Sequence, residues 1–521
     1  MSNSSTADPH VLLGTIGADS AQPEQRDPTQ QISPGVTTWA PHRLTTAQLA
    51  DTSAARAADG LVIDRSGTTQ RLLGGISGAV PVYVRPDERT GTAQFSNRMS
   101  ALANDTEVRA DWDAWAHVLT AGAPLTGHTV MAGVKRLRPW ESVSADGQTV
   151  QFERDPWPWL TIESDPAATV DELAEALQNA ITDLVTDNRP ISLLSGGWDS
   201  RILALYAQHV TEQPVRAFTT SSDTGHVLEE LVAAQVAHEL GAEHTIVTPR
   251  VDSFAKDFRS FAHAVDYQTS FHTWLVPILN HFSAHHVDGV VLDGLGGGLM
   301  VGGDFTAGRT REDRISGLLK YLDGAEAVLR PEVARNIAER TRASFEQFDR
   351  DWPDVSGHPF EATFTAYLNR TITGIGLSPY GLVANSHPAA TPFLDDRVVH
   401  AALRIPADQH SGGRLYPQLT EILSPTLAAL HTAQPLAPWP RPHPRRITAS
   451  ESIAFLHSTV VNGPAAELLA NDVARAGESA WRKLLSRTAP QHLIRSLAVL
   501  NLWLSEYADS FTGPGVEELL S

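Results

Sequence analysis

The residues best suited to chemistry form one short segment near the middle of the chain, Ser195-Gly196-Gly197-Trp198-Asp199-Ser200. It follows an apolar run over 190–194 and precedes a helical pattern over 201–210. Two glycines allow a tight turn between a strand and a helix, so that backbone amides and the helix N-terminus face outward. This geometry suits a pyrophosphate, with the serine hydroxyls as further donors and the Asp199 carboxylate as a ligand for Mg2+. The segment therefore predicts a phosphate-binding loop, and the alternative is an ordinary strand–turn–helix connection.

A parallel sheet is the expected support for such a loop, and the sequence after about residue 165 predicts one. Strand patterns alternate there with helix patterns long enough for crossover connections. The pattern indicates a doubly wound α/β domain, and beyond about residue 310 it becomes almost wholly helical. The predicted strands are 190–194, 215–222, 242–248 and 289–293, and the predicted helices are 169–188, 201–210, 226–241 and 270–286.

The first third of the chain predicts a different architecture, mostly β-strands with few helices. Between residues 59 and 95, short apolar runs are broken by glycine and proline, which is typical of hairpins. A second strand pair is predicted within 131–153, with its turn at Ala145-Asp146-Gly147, and a helix is predicted around 111–121. A segment rich in proline and tryptophan, 155–168, separates the two architectures. The predicted domains are 1–160 and 161–521.

Composition excludes several kinds of protein. The 521 residues are 42% hydrophobic and 19% charged, which is ordinary for globular proteins and excludes wholesale disorder. The net charge of −20 and the lack of a long Lys/Arg run argue against nucleic-acid binding. The chain contains no cysteine, which excludes disulfides, thiolate metal sites and a cysteine nucleophile.

Hydropathy gives no sign of a membrane protein. No apolar stretch approaches the roughly 18 residues that a membrane helix needs. The first ten residues are polar and do not resemble a secretory signal. We therefore expect a soluble, cytoplasmic protein with neither a membrane nor a nucleic acid as partner.

The segment 195–200 resembles the PP-loop of ATP pyrophosphatases, which cleave ATP between its α and β phosphates to adenylate a carboxyl group. A Walker loop is absent. Within this superfamily, the order of elements is similar to that of the asparagine synthetase group, which includes β-lactam synthetase and the lasso-peptide macrolactam cyclases. Four further stretches carry the resemblance over nearly the whole chain: GGISGAVPVYV with FSN, HTVMAGVKRLRPW, LDGLGGGLMVGG and ATPFLDDRVVHAALRIPADQ.

The resemblance implies a fold and a set of ligands. The fold is α/β, with a degenerate N-terminal glutaminase-like αββα sandwich and a PP-loop synthetase domain whose parallel sheet is followed by a helical C-terminal part. The implied cofactors are ATP and Mg2+, and the implied metal ligand is Asp199. The candidate nucleotide-binding residues are Leu194, Ser195, Gly196, Gly197, Asp199, Ser200, Thr219 and Gly294.

The lack of cysteine is the first departure from asparagine synthetases. Their first domain begins with a cysteine that hydrolyses glutamine, whereas Ser2 follows Met1 here. A Ser2 hydroxyl activated by its own terminal amine is a conceivable substitute. We favour the alternative, in which glutamine is not the source of ammonia. β-Lactam synthetases and lasso cyclases share this loss, because their amine nucleophile is already present on the substrate.

The glycine-rich stretch 292–303 contains a second departure. In the family this loop carries a second magnesium-binding aspartate, three residues after a residue that takes part in the chemistry. Aligning the loop on its final glycine pair puts Gly298 at the aspartate position and Leu295 where Glu or Tyr is expected. Neither side chain can bind a metal or transfer a proton. Asp293 and Asp304 are the nearby candidates to supply a carboxylate instead.

A missing lysine is the third departure. The family uses a lysine downstream of the Pro-Phe-Leu-Asp helix to stabilise charge on the adenylate, but no lysine lies between Lys320 and Lys483. Arginine is a permanently charged phosphate ligand and can take over the electrostatic role. A solvated basic loop is an equally good interpretation of the arginine-rich stretch in this region. The candidate catalytic residues are Arg445 and Arg446, with Arg441 and His443 in the same stretch.

Two residue pairs after the third strand–helix unit lie where a substrate pocket is expected, His272 with Trp274 and Asp266 with Tyr267. Ordinary packing in the core or on the surface is the alternative for both pairs.

The expected function is that of an ATP-dependent, AMP- and pyrophosphate-forming amide ligase that closes a macrolactam, as lasso-peptide cyclases do. The expected partner is a precursor peptide or a small carboxylate/amine substrate, and a lasso system adds a leader-peptide-binding protein and a protease. Two alternatives stay open. One is a degenerate homologue that binds nucleotide or peptide without adenylation, and the other is an ammonia-dependent asparagine-type synthetase.

Overall fold

The N-terminal part of the chain folds as two antiparallel sheets that share one apolar core. The computed structural model describes residues 11–17, 29–103, 107–186, 188–221, 223, 228–303, 311–433 and 446–520. A four-stranded sheet has the order β1-β7-β6-β8, and a six-stranded sheet has the order β10-β9-β5-β4-β3-β2. The elements are β1 Leu13–Ile16, β2 Gln30–Ser33, β3 Val36–Trp39, α1 Thr52–Ala57, β4 Leu61–Asp64, β5 Gln70–Leu73, β6 Tyr83–Asp87, β7 Thr92–Ser96, α2 Trp112–Thr120, β8 Lys135–Arg136, β9 Glu141–Ala145 and β10 Val150–Arg154.

Local sequence signals set several of these elements. The β9–β10 hairpin turns at Asp146, whose carboxylate accepts hydrogen bonds from the amides of Gln148 and Thr149 at 2.9 and 2.7 Å. The Asp111 carboxylate caps α2 by accepting from the Ala114 amide at 2.9 Å. Both the hairpin and the helix were predicted, and the mostly-β character of this part is confirmed. Its likeness to a glutaminase stays a prediction.

The third sheet is parallel throughout, with the order β13-β12-β11-β14-β15. The predicted doubly wound sheet is therefore confirmed. The chain runs from β11 outward to β13 and then returns to the other side of β11, so the strand order reverses between β11 and β14. The elements are α3 Val170–Val185, β11 Pro190–Leu193, α4 Trp198–Val210, β12 Arg216–Thr220, α5 Leu228–Leu240, β13 Glu243–Val247, α6 Phe254–Ala264, α7 Val276–His285, β14 Val290–Leu292, α8 Gly297–Met300 and β15 Ala389–Ala390.

Three features of this sheet region differ from the prediction. The helix expected over 270–286 begins later, because His272 has a left-handed backbone (φ 59°) that ends any preceding helix. A short 3-10 turn, Thr273–Leu275, leads from it into α7. Helix α6 and strand β15 were not predicted at all.

The C-terminal part is almost wholly helical, as predicted. It also contains two π-helical segments, Tyr367–Ile375 and Ser378–Leu382, in which the backbone turns are wider than in an α-helix. The α-helices are α9 Arg311–Leu318, α10 Pro331–Asp351, α11 Glu361–Ala366, α12 Asp396–Arg404, α13 Ala407–His410, α14 Leu415–Glu421, α15 Pro425–Ala429, α16 Ser450–Val461, α17 Asn471–Ala474, α18 Glu478–Leu485 and α19 Thr488–Glu506.

The segment between the two predicted domains is packed into the core. Trp157 and Trp159 are 2% and 0% exposed. The Trp157 indole donates to the Ile76 carbonyl at 2.8 Å, and the Trp159 indole donates to the Asp396 carboxylate at 2.9 Å. The two indoles thus connect the N-terminal sheets to the C-terminal helices, and the boundary at residue 160 stays a prediction.

No helix among the described residues combines the length and the apolar character that crossing a membrane requires.

The half-buried Asp59 is a titratable group at the contact between the two parts. Its carboxylate accepts hydrogen bonds from the Ser77 amide at 2.7 Å and from the Ser77 hydroxyl. Burial raises the pKa of Asp59 from 3.8 to about 7, although the Ser77 hydrogen bonds act in the opposite direction. The folded state therefore binds one more proton than the unfolded state between about pH 4 and pH 7, and this group lowers stability progressively as the pH rises through that window.

The Asp59→Asn variant should lose this pH dependence. Asparagine tolerates the left-handed backbone at this position (φ 60°) and cannot ionise. We expect equal thermal stability for the variant and the wild type near pH 4, and a more stable variant, by about 1–3 kcal/mol, near pH 8. Differential scanning calorimetry at both pH values measures this, with the exposed Asp288→Asn as a control for the charge change. A variant–wild-type difference that is the same at both pH values would contradict the prediction.

Candidate functional site

The segment between β11 and α4 forms a compact loop held by its own serines. The Ser195 amide donates to the Ser200 hydroxyl oxygen at 2.9 Å, and the two hydroxyls lie 2.9 Å apart. The Gly197 amide donates to the Ser195 hydroxyl oxygen at 3.2 Å. Gly197 precedes α4 and makes no side-chain hydrogen bond to its N-terminus, and a helix N-terminus of this kind is suited to an anion. The predicted strand–loop–helix connection is therefore confirmed, and its binding of phosphate stays a prediction.

The Asp199 side chain packs directly on the backbone that follows β14. A Cβ at Gly294 would lie 2.8 Å from the Asp199 Cβ, and a Cβ at Gly297 would lie 2.3 Å from the Asp199 Oδ1. The Tyr416 hydroxyl donates a hydrogen bond to the same Oδ1 atom. The carboxylate is therefore fixed by a tyrosine and by two glycines that leave room for it. Asp199 and Gly294 were both predicted as nucleotide-binding residues, whereas Gly297 and Tyr416 were not predicted.

A cavity of about 370 Å³ opens beside this carboxylate. It lies at the carboxyl ends of β11 and β14, where the strand order reverses, and ligands of open α/β sheets bind at such points. Its walls come from four segments. These are the loop residues Ser195, Asp199 and Ser200, residues 293–299 after β14, residues 272–275 before α7, and residues 370–375 of the first π-helix.

Some of the other predicted nucleotide-binding residues make hydrogen bonds that hold the loop in place. Leu194 is buried, and its carbonyl accepts a hydrogen bond from the Thr219 hydroxyl at 2.7 Å. The same hydroxyl lies 2.8 Å from the His244 Nε2. Gly196 accepts a hydrogen bond from the Ala433 amide at 2.9 Å. Of the predicted set, Ser195, Asp199, Ser200 and Gly294 line the cavity, and Leu194, Gly196, Gly197 and Thr219 do not.

A fully buried arginine fixes the chain segment that covers the loop. Arg201 donates to the backbone carbonyls of Leu427, Leu430 and His431 at 3.1, 2.7 and 3.0 Å. Burial lowers the pKa of Arg201 to about 10, so it stays charged at neutral pH. A Cβ at Gly196 would lie 2.5 Å from the Ala433 Cβ, which shows how closely this segment approaches the loop.

The Arg201→Met variant should lose both stability and loop order. Methionine keeps much of the length but leaves several buried carbonyls without a donor, for which we expect a loss of about 3–5 kcal/mol. Thermal unfolding measures the loss. Arg404→Met is the control, because Arg404 forms partly exposed ion pairs with Asp165 and Glu172 and should cost less than about 1 kcal/mol. Equal losses in the two variants would contradict this account of Arg201.

Asp293 adds a second carboxylate to the cavity wall. It accepts a hydrogen bond from the Leu295 amide at 2.8 Å, and burial raises the pKa of Asp293 to about 6. Leu295 and Gly298 line the same cavity, so the two departures from the family pattern lie on the wall where the missing groups are expected. Among the described residues, no group of three or more His, Asp or Glu side chains lies together in a metal-binding arrangement. Asp304 is outside the described residues.

The oxygen donors of the cavity fit Mg2+ in a nucleotide-dependent site. Asp199, Asp293 and the hydroxyls of Ser195 and Ser200 are hard oxygen ligands. Mg2+ in such sites is usually held by one or two carboxylates, with water and substrate phosphates completing its ligand set. Asp199 is the residue that would hold the metal, with Asp293 as the second carboxylate.

One of the two predicted pocket pairs lines the cavity. This pair is His272 and Trp274. The His272 Nδ1 lies 2.7 Å from the Ser378 hydroxyl. Burial, together with the positive charges of Arg495 and Arg370, lowers the pKa of His272 to about 4, so it is neutral at pH 7. Asp266 instead accepts hydrogen bonds from the amides of residues 99 and 100, and neither it nor Tyr267 lines the cavity.

Of the two predicted catalytic arginines, only Arg446 is among the described residues, and it does not line the cavity. Arg446 is 7% exposed and is paired with Asp257 and with Asp223, the latter at 3.3 Å. Two carboxylates thus oppose its charge within the core. Arg441, His443 and Arg445 are outside the described residues. The arginine that does line the cavity is Arg370, which the sequence did not single out.

Comparison with known proteins gives one family. Residues 172–416 match the family model of asparagine synthase. The match supports an asparagine synthetase-like domain. It extends from α3 to Tyr416 and so contains the loop, the Gly-rich segment after β14 and the π-helix that carries Arg370. The family consists of ATP-dependent, AMP-forming amide ligases. No curated protein matches the chain.

Proposed function

We propose that the protein is an ATP-dependent amide ligase that adenylates a substrate carboxylate and then joins the acyl group to an amine. The observation that carries this proposal is the Asp199 carboxylate, fixed by Tyr416 and the glycines after β14, at a cavity that also contains Ser195 and Ser200. The asparagine synthase match over 172–416 supports the same chemistry.

Each part of the site has a role in this reaction. The amides and hydroxyls of 195–200 bind the terminal phosphates of ATP, and Asp199 holds Mg2+. When bound, the metal offsets charge on the phosphates. A substrate carboxylate oxygen attacks the α-phosphorus of ATP. The bond between this phosphorus and the oxygen shared with the β-phosphorus breaks, and pyrophosphate leaves. The amine nitrogen then attacks the acyl carbon, AMP leaves, and the amine loses a proton to solvent. Positioning and charge stabilisation supply most of the catalysis.

The amine belongs to the same substrate in the form of the proposal that we favour. The chain has no cysteine, so the cysteine-dependent release of ammonia from glutamine is excluded. Ring closure within one peptide then forms a macrolactam, as in lasso-peptide cyclases. A precursor peptide is the proposed substrate, and a leader-peptide-binding protein and a protease are the proposed partners.

A product assay tests the proposal. The protein, Mg2+ and ATP are incubated with synthetic linear peptides that each carry a free amine and a free carboxylate, and nucleotides and peptide are analysed by chromatography and mass spectrometry. We expect AMP and pyrophosphate, and a peptide that has lost one water. Formation of ADP and phosphate with the same peptide product would contradict the adenylation mechanism. A free asparagine product from aspartate and ammonium would instead identify the ammonia-dependent alternative.

A second candidate is a homologue that binds nucleotide or peptide without adenylating it. Leu295 and Gly298 favour it, because they place an apolar side chain and a bare backbone on the cavity wall. Magnesium-dependent exchange of labelled pyrophosphate into ATP separates the two candidates. Exchange in the presence of the peptide supports the ligase, and ATP binding without exchange supports the inert homologue.

A further inference from the structure

The first π-helix brings an unpaired positive charge to the cavity. Arg370 is the only arginine or lysine among the described residues that line it. Its guanidinium makes no hydrogen bond or ion pair with any described residue, and its Nε atom is buried without a partner. The nearest ring is that of Phe271, with its centroid 5.8 Å from the Arg370 Cζ. Wide π-helical turns occur frequently at functional sites.

Two fully or nearly buried arginines of this chain have partners within the protein. Arg446 is paired with Asp223 and Asp257, and Arg201 donates to backbone carbonyls. A guanidinium that stays unpaired in a partly buried wall is unfavourable unless a ligand supplies the acceptor. Its forked donors match a carboxylate or a phosphate. Arg370 therefore indicates an anion-binding position.

The surroundings of Arg370 add positive charge. Arg495 is 8% exposed and has a buried Nη2 atom without a hydrogen-bond partner. The charges of Arg495 and Arg370 act on His272, and the charge of Arg370 also acts on Lys320. The carboxylates of the cavity, Asp199 and Asp293, belong to the loop and to the segment after β14. The cavity thus combines acidic residues from the sheet edge with one arginine from the first π-helix.

We propose that Arg370 binds a carboxylate of the acyl substrate. This inference rests on the proposed function, in which the phosphates of ATP already have donors in the loop 195–200 and a metal on Asp199. A carboxylate that approaches a triphosphate is repelled by it, and a guanidinium beside the carboxylate offsets that repulsion. Trp274, Leu275 and Ile375 line the same cavity and suit the carbon part of such a substrate.

Calorimetric titration of the nucleotide-bound protein tests the proposal. The full chain is saturated with Mg2+ and α,β-methylene-ATP, and the probes are the α-amides of N-acetyl-aspartate and N-acetyl-glutamate. The α-amide of N-acetyl-asparagine is the uncharged control. We expect the wild type to bind at least one of the two acids and not the control. Arg370→Gln should weaken binding of the acid about tenfold or more and leave nucleotide binding within about twofold.

Two further variants separate a binding role from a folding effect. Arg370→Lys keeps the charge without the fork, so it should bind the acid with intermediate affinity. Arg250→Gln removes an exposed guanidinium that is paired with Asp252, and it should bind as the wild type does. We expect Arg370→Gln to melt no lower than the wild type, because it removes an unpaired charge. If Arg370→Gln does not fold, the comparison of Arg370→Lys with the wild type decides the question.

Three results would overturn the proposal. They are unchanged binding of the acid by the Arg370 variants, weakened nucleotide binding in place of weakened acid binding, and no binding of either acid by the nucleotide-bound wild type. A wild type that does not bind Mg2+ and the nucleotide would instead contradict the proposed function. The two failures are therefore distinguishable.

Discussion

Replacing Asp199 by asparagine should abolish magnesium-dependent binding of ATP and the release of pyrophosphate. Asparagine keeps an oxygen that can accept the hydrogen bond from the Tyr416 hydroxyl, so the side chain stays in place and only the negative charge is lost. We expect pyrophosphate release to fall about a hundredfold or more. We also expect the affinity for ATP in the variant to be the same with Mg2+ and with a chelator. Asp199→Ala should have the same effect on turnover.

Tyr416→Phe is the matched control for Asp199. It removes the hydroxyl that donates to the carboxylate but keeps the charge, so we expect a loss of less than about tenfold. Isothermal titration with ATP, with and without Mg2+, compares the wild type, Asp199→Asn and Tyr416→Phe. An Asp199→Asn variant whose affinity for ATP still rises on addition of Mg2+ would exclude Asp199 as the metal ligand.

Gly297→Ala should displace the Asp199 carboxylate by steric overlap. The added Cβ would lie 2.3 Å from the Asp199 Oδ1 and 2.6 Å from its Cγ, so the carboxylate must move. A misplacement of about 1 Å in a catalytic site costs about a hundredfold in rate. We expect a comparable loss of pyrophosphate release, while the circular dichroism spectrum stays that of the wild type.

Gly317→Ala is the control for this glycine. Gly317 also lies in a helix, but a Cβ there meets nothing within 4 Å. Alanine is the better helix former, so we expect unchanged activity and a stability gain of about 0.5–1 kcal/mol. Equal activity in the two alanine variants would contradict the role given to Gly297.

The part of the site that the sequence predicted is the part formed by contiguous residues. Ser195, Gly197 and Ser200 interact within six positions of one another, so a strand–loop–helix pattern is enough to find them. Gly294 follows the next inner strand of the sheet, and parallel strands end at one edge. Sheet topology then brings Gly294 to Asp199.

Two site residues that the sequence did not predict, Tyr416 and Arg370, come from the helical region after residue 310. Tyr416 lies 217 positions from Asp199, and no local pattern links the two. Arg370 belongs to a π-helical segment, whose wider turn changes the direction of side chains relative to an α-helix. The replacement for the missing lysine was predicted from its distance along the chain after the Pro-Phe-Leu-Asp helix, and this distance indicated Arg445 and Arg446. Burial between Asp223 and Asp257 is a tertiary property of Arg446 that spacing cannot reveal.

The two unpredicted elements of the fold, α6 and β15, have different causes. Helix α6 carried a readable signal, because Phe254, Phe258 and Phe261 are buried at helical spacing. Strand β15 has only two residues, Ala389 and Ala390, and its neighbours on both sides are helical. Pairing with β14 makes it a strand, and no sequence pattern of that length can predict it.

A crystal structure of the protein with Mg2+ and α,β-methylene-ATP tests the central claim most directly, since the analogue cannot be cleaved between its α and β phosphates. We predict that its terminal phosphates contact the backbone amides and hydroxyls of 195–200, and that the metal contacts Asp199. Binding of the nucleotide outside the cavity, or in the cavity without contact between its phosphates and this loop, would contradict the account.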